Sequence, residues 1–147
     1  MAERLTVTLH ELVAAMDAYA DAYLQRHHGV SFNLFEFLAA LVEESPVDIT
    51  GLARCLRVSK AAVSKRVPSL VAGGWLITAH GPGRRVDLTP TAAAIELVRS
   101  AGGELEGEFA AVFAEDAGGA AGTSVTIAAL NERLSGLTRI LEQKELP

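Results

Sequence analysis

The sequence predicts a mainly helical α+β fold, and three observations carry that prediction. Ala and Leu are abundant while aromatics make up only 5% of the 147 residues, a balance that favours helix formers over strand formers. Near each end, apolar residues recur at helical spacing. Only one short stretch, around Gly81-Pro82-Gly83, changes to a strand-like pattern about a tight turn. Half of the residues are hydrophobic, enough for a core, and the length fits one domain spanning 1–147.

Residues 8–26 form the first predicted helix, with Leu9, Leu12, Met16, Tyr19 and Tyr23 spaced 3, 4, 3, 4 along one stripe and Gly29 as its stop. A second helix over 33–44 carries Phe35, Leu38, Leu41 and Val42 and closes at Ser45-Pro46, because a residue before proline is pushed out of the α region. Asp48 is the expected N-cap of a short helix over 49–56, and Ser59 that of the next, since each side-chain oxygen can accept a first-turn N–H. Only Arg57-Val58 separates these two helices, so they must cross steeply, as in a helix-turn-helix. Leu52, Ala53, Leu56, Val58, Val63, Val67, Leu70 and Val71 are its expected interior.

After Gly73-Gly74, residues 75–80 and 84–88 read as two strands of a hairpin, the turn supplied by glycines that accept positive φ. Such a hairpin after a helix-turn-helix is a wing. Thr89 is the expected cap, and Pro90 the first residue, of a fifth helix that should kink or pause at Gly102, Gly103 and Gly107. A Gly/Ala loop over 117–122 follows. Thr123 or Ser124 then caps a last helix whose Ile127, Leu130, Leu134, Leu137 and Leu141 repeat the 3, 4, 3, 4 spacing. The two terminal stripes together exceed what a small head can bury, so these helices call for partners.

The net charge of −5 argues at first against a polyanionic partner. Its distribution reverses that reading. Between Ile49 and Val86 there is no Asp or Glu, yet Arg54, Arg57, Lys60, Lys65, Arg66, Arg84 and Arg85 lie there, leaving all 18 acidic residues and six of the 13 basic ones elsewhere. On the helix after Ser59, residues Ser59, Lys60, Ala61, Ser64 and Lys65 point away from the Val63, Val67, Leu70 stripe. Small and basic residues on one exposed face let a helix approach the major groove closely, and an arginine at a wing tip can enter a narrow minor groove. The alternative is a solvated basic face, and the tight turn before it with the wing after it favour DNA.

The segments Leu52-Ala53-Arg54-Cys55-Leu56, Val58-Ser59-Lys60-Ala61-Ala62-Val63-Ser64, Arg84-Arg85-Val86 and Leu88-Thr89-Pro90, with Leu70 and Gly74 between them, resemble the MarR family of regulators. The motifs span residues 31–95, and the helix order follows the family along the whole chain. The resemblance implies a winged helix-turn-helix head over 31–98 and dimerisation helices over 1–30 and 99–147. It further implies a homodimer on a pseudo-palindromic site in double-stranded DNA, acting as a repressor. The DNA-binding set is then Arg54, Ser59, Lys60, Ala61, Ser64, Lys65, Arg84 and Arg85. Relatives commonly hold a small aromatic ligand between dimer helices and head, for which Tyr19, Tyr23, His27, Phe32 and Phe35 are the counterparts.

Two features depart from the family pattern. Pro68 stands inside the reading helix, where it removes the bond to the Ser64 carbonyl and should kink the helix, confining base reading to residues 59–66. The wing is short and has Gly83 where an acidic residue often braces the tip arginine, so the sequence leaves open which of Arg84 and Arg85 enters the groove.

Other signals are weaker. Cys55, the single cysteine, reads as a buried, inert small hydrophobe in preference to a thiol sensor. His27-His28 with His10 lack a ligand set at metal spacing, so neither metal nor cofactor is expected. No paired nucleophile and base, phosphate loop or carboxylate cluster points to an enzyme. A winged helix used only to dock a protein is the competing class. No apolar run reaches the roughly 18 residues needed to span a bilayer, and the charged start lacks a secretory core, so no membrane association and a cytoplasmic location are expected.

Overall fold

The computed structural model describes residues 4–116 and 125–144. Among them the order is α1 Leu5–His28, α2 Phe32–Glu44, β1 Val47–Asp48, α3 Ile49–Leu56, α4 Lys60–Ala72, β2 Leu76–His80, β3 Val86–Pro90, α5 Ala92–Asp116 and α6 Ile127–Glu142. The mainly helical winged-helix reading holds. Two compact units result, Met1–Gly103 and Glu104–Pro147.

In the first unit the helix ends follow their local chemistry. Gly29 closes α1 in the left-handed region at φ 67°, where a residue without Cβ is unstrained. Asp21 of α1 accepts the Phe32 N–H at 2.8 Å while Ser31 accepts that of Leu34 at 3.1 Å, so two oxygens satisfy the start of α2. Ser45 leaves the helix at ψ 136° before Pro46, as expected. Asp48 caps α3 by accepting the Gly51 N–H at 2.8 Å, and Ser59 caps α4 through Ala62 at 3.1 Å.

The turn between α3 and α4 holds a feature that no residue type announced. Arg57 adopts φ 56°, ψ 42°, and its N–H bonds to the Ala53 and Arg54 carbonyls. Val58, placed by this reversal, is exposed, and so is Val71, one residue beyond the Val63, Val67, Leu70 stripe. Both were expected in the interior. The core instead centres on Leu24, Phe37, Leu38, Leu41, Leu52, Val63, Leu76 and Leu88, with Ala20 and Leu24, outside the Leu12, Met16, Tyr19 stripe, as the buried residues of α1. α4 continues through Pro68, with Val67 and Leu70 buried on either side of it. Ser64, whose carbonyl loses its partner to Pro68, is exposed.

Three antiparallel strands form a sheet in the order β1-β3-β2. The two-residue β1 is too short for alternation to reveal it. The wing differs from expectation in register. Gly81 N–H bonds to the Arg85 carbonyl at 3.0 Å and Gly83 takes φ 67°, so Arg84 and Arg85 belong to the turn and β3 starts at Val86. Thr89 and Pro90 are therefore strand residues opposite Ile77 and Leu76. The cap of α5 moves to Thr91, whose hydroxyl accepts the Ala94 N–H at 3.3 Å and donates to the Gly74 carbonyl at 2.7 Å. α5 then runs unbroken past Gly102, Gly103 and Gly107, against the expected pause. The burial of Ala101 and Leu105 along it outweighs a cost of about 1 kcal/mol per glycine.

In the second unit, Thr126 caps α6 by accepting the Ala129 N–H at 3.1 Å. The cap therefore lies beyond Thr123 and Ser124, which, like the loop at 117–122, fall outside the described residues. α6 has no buried residue, and Ile127, Leu134, Leu137, Ile140 and Leu141 are exposed. Leu5, Leu12, Val13, Met16 and Tyr19 of α1 are exposed likewise. Cys55 is exposed, not buried as expected, because the short α3 ends one residue later and leaves its last turn open to solvent. Partial desolvation, with Glu44 and Glu43 nearby, pushes its thiol pKa up and keeps it protonated. No described helix is long and apolar enough to cross a membrane.

Gly51 packs so closely that a Cβ there would sit 2.8 Å from Val47 Cγ2 and 3.1 Å from Asp48 Oδ1. Gly51→Ala should destabilise the protein by about 1–3 kcal/mol in urea unfolding, as overpacking does. An unchanged midpoint would show that β1 and α3 do not need this approach.

Candidate nucleic-acid interface

α3 packs on α4, and Leu52 and Ala53 of the one and Val63 and Val67 of the other are buried, which leaves the other side of α4 outward. Lys60, Ala61, Ser64 and Lys65 are exposed on α4, Ser59 is exposed at its start, and Arg54 is exposed near the end of α3. Ser59 uses a lone pair of its oxygen for the cap and keeps its O–H available to donate. The α4 residues predicted from the sequence are thus brought together on the exposed part of one helix. Its first turn also carries the positive end of the helix dipole.

The basic residues between Ile49 and Val86 are not equivalent. Arg66 lies with its guanidinium 4.6 Å from the centroid of the Phe37 ring, and burial lowers its pKa while Glu36 opposes that shift. It joins α4 to α2. On the wing, Arg85 Nε donates to Asp87 Oδ1 at 2.7 Å, a bond that raises the arginine pKa together with the Asp87 charge. The acidic brace missing at Gly83 is therefore supplied by Asp87, two residues beyond the arginine. Its signal in the sequence was the closeness of Asp87, two residues after Arg85. Arg84 is exposed at the turn.

The aromatic candidates divide. Tyr19 and Tyr23 stack at 6.5 Å between centroids and 22° between planes, and Tyr23 meets His27 at 4.3 Å, so α1 carries a ladder of three rings. Phe32 is tied to α1 through its backbone bond to Asp21, and the ring of Phe35 faces Gly102 of α5, whose Cβ would lie 3.7 Å away. Sequence reasoning missed a recess of about 100 Å³ between α2, α3 and α4, where Glu36 and Arg66 meet Phe37 and Val63. None of the five aromatic candidates lines it. Among the described residues no cluster of His, Cys, Asp and Glu is arranged to hold a metal ion.

No curated protein matches this sequence. Among solved structures, the regulator BldR from Sulfolobus solfataricus is similar at a TM-score of 0.73 and 21% identity, over 96% of this chain and 94% of that one. A MarR family regulator from Rhodococcus sp. RHA1 gives 0.74 and 14%, over 97% and 95%. MepR of S. aureus, in a complex with DNA, gives 0.72 and 14%, over 96% and 98%. These likenesses show the fold. The MarR family model itself matches residues 28–85, the stretch from the end of α1 to Arg85 that contains α3, α4 and the wing turn. Over that stretch the winged helix-turn-helix is similar to that of the MarR family.

Proposed function

We propose that this chain is a sequence-specific DNA-binding transcriptional regulator, a repressor that works as a homodimer on a pseudo-palindromic site in double-stranded DNA. The observation that carries the reading is the exposed side of α4. Ser59, Lys60, Ala61, Ser64 and Lys65 stand together there, and no carboxylate occurs from Thr50 to Arg85. Arg54 near the end of α3 and Arg84 at the wing turn are exposed cations as well. The S. aureus MepR structure, of similar fold, is a DNA complex. Groove entry by α4 gives base contacts to Ser59 and Lys60 and phosphate contacts to Lys65.

The second copy is supported by α1 and α6. Leu12, Val13 and Met16 on one, and Leu134, Leu137, Ile140 and Leu141 on the other, are large apolar residues at helical spacing that are left exposed in the single chain. A two-fold axis pairs such self-complementary faces and sets two heads one helical turn of DNA apart. Release from DNA by a small aromatic ligand rests on the Tyr19, Tyr23, His27 ladder, which offers ring faces for stacking.

If each dimer neutralises about 8 phosphates, log affinity should fall against log salt with a slope near −7. Binding that ignores salt refutes the proposal. Lys65→Ala should weaken binding to all sequences alike, whereas Lys60→Ala and Ser59→Ala should change sequence preference. Identical behaviour of the three in a selection from random duplexes contradicts these roles.

Leu137→Glu should convert the dimer to a monomer in sedimentation and lower operator affinity about 100-fold, because one head then binds alone. A monomeric wild type would remove the two-fold model. The chain has only two tyrosines, both in the ladder, so 4-hydroxybenzoate should perturb near-ultraviolet tyrosine circular dichroism while displacing DNA. Displacement without a tyrosine signal would move the ligand site elsewhere.

A further inference from the structure

The reading turns of α4 have unequal support on their inner sides. α4 packs on α3 and on β2, and its Val63, Val67 and Leu70 are buried. Toward α2 the packing is open. The recess of about 100 Å³ remains there among Phe37 of α2, Leu56 and Val58 at the turn, and Ala62 and Arg66 of α4. Ala62, one turn before Arg66, is exposed and offers that side a single methyl group.

α4 is also weakened within itself. Pro68 has no N–H to give the Ser64 carbonyl, so one rung of the helix ladder is missing between the reading turns and Leu70. Lys60 lies about 10 Å along the axis from Val67 at 1.5 Å per residue, so a tilt of roughly 5° at that point displaces it by about 1 Å.

Arg66 spans the open side. Side chains lean toward the N-terminus of their helix, so from position 66 this one reaches back along the recess. Its guanidinium stands 4.6 Å from the centroid of the Phe37 ring. That ring is 1% exposed, so the face that receives the cation is itself fixed in the core. Among the described residues no carboxylate forms an ion pair with Arg66, and Glu36 acts on it through charge at a distance. The ring face is therefore what anchors the guanidinium.

We propose that Arg66 is a positioning residue: seated on Phe37, it fixes the tilt of the first turns of α4 relative to α2 and so places Ser59 and Lys60 for base reading, without itself touching DNA. This rests on the DNA-binding reading above and deepens it, since it names a cation that serves recognition through the fold.

The test uses the full chain as wild type, Arg66→Lys, Arg66→Met, Phe37→Leu and Arg66→Met/Phe37→Leu. Methionine keeps a long flexible stem and gives up the charge, whereas lysine keeps a cation that can sit on the ring. Hydrogen exchange of the free protein reads the α4 amides from Val63 to Val67. Titration over a range of KCl, with a duplex selected by the wild type from a random-sequence library, reads affinity and salt slope. In Arg66→Met these amides should exchange about 10-fold faster, and affinity should fall about 10-fold with the salt slope unchanged, while Arg66→Lys should restore most of both. On the Phe37→Leu background Arg66→Met should add less than about twofold to either, because the partner of the guanidinium is already gone. A slope smaller by about 2 per dimer in Arg66→Met makes Arg66 a phosphate contact and overturns the proposal. Wild-type exchange and affinity in Arg66→Met overturn it too, as does an undiminished Arg66→Met effect on the Phe37→Leu background. Should Phe37→Leu not fold, the contrast between Arg66→Lys and Arg66→Met still decides. A wild type that selects no duplex defeats the DNA-binding reading and the placement role with it, whereas unchanged exchange in Arg66→Met with DNA binding intact defeats the role of Arg66 alone.

Discussion

The reversal at Arg57 is the constraint on which the rest of this structure depends. A non-glycine residue in the left-handed region costs roughly 1–2 kcal/mol, and here the Arg57 N–H offsets it by closing the end of α3 on the Ala53 and Arg54 carbonyls. Val58 N–H adds a bond to the Ala53 carbonyl at 3.0 Å. With α3 ended so abruptly and α4 capped at Ser59, the two helices pack on each other with Leu52 and Val63 buried. The exposed side of α4 follows from that contact. A slower turn would rotate Lys60, Ser64 and Lys65 relative to the core, and the basic surface would lose its definition.

Charge is organised at two scales. Over the whole chain the balance is acidic, while the span from Thr50 to Arg85 has only basic ionised side chains. Within that span the cations have separate tasks. Arg66 covers Phe37 and Arg85 is bonded to Asp87, so both bind parts of the fold to each other. The cations left facing outward include Arg54, Lys60, Lys65 and Arg84. An acidic molecule can therefore present a basic surface no larger than the elements that approach DNA, because screening limits repulsion from distant carboxylates to about 8 Å at physiological salt.

Most of the helical architecture was legible because its signals are local. Asp48 and Ser59 are cap residues at helix starts, Gly29 suits the left-handed stop, and Pro46 forbids α2 from continuing. The failures have physical causes too. Thr89-Pro90 has the composition of a helix start, but pairing with Ile77 and Leu76 draws it into the sheet and leaves the cap to Thr91. Gly102, Gly103 and Gly107 weaken a helix locally, yet burial of residues beside them holds α5 together. Pro68 is tolerated within α4, with Val67 and Leu70 packed on either side of it.

What the sequence determined by itself was the set of elements, the segregation of charge and the outward residues of α4, since each depends on periodicity, capping or composition within a few positions. Only the tertiary structure decided which arginine on the wing is bonded to a carboxylate. That answer required the register of three strands, which sets Asp87 against Asp48 and folds Arg85 over Gly81. Strand register is a property of pairing between distant segments, and no spacing within one segment contains it.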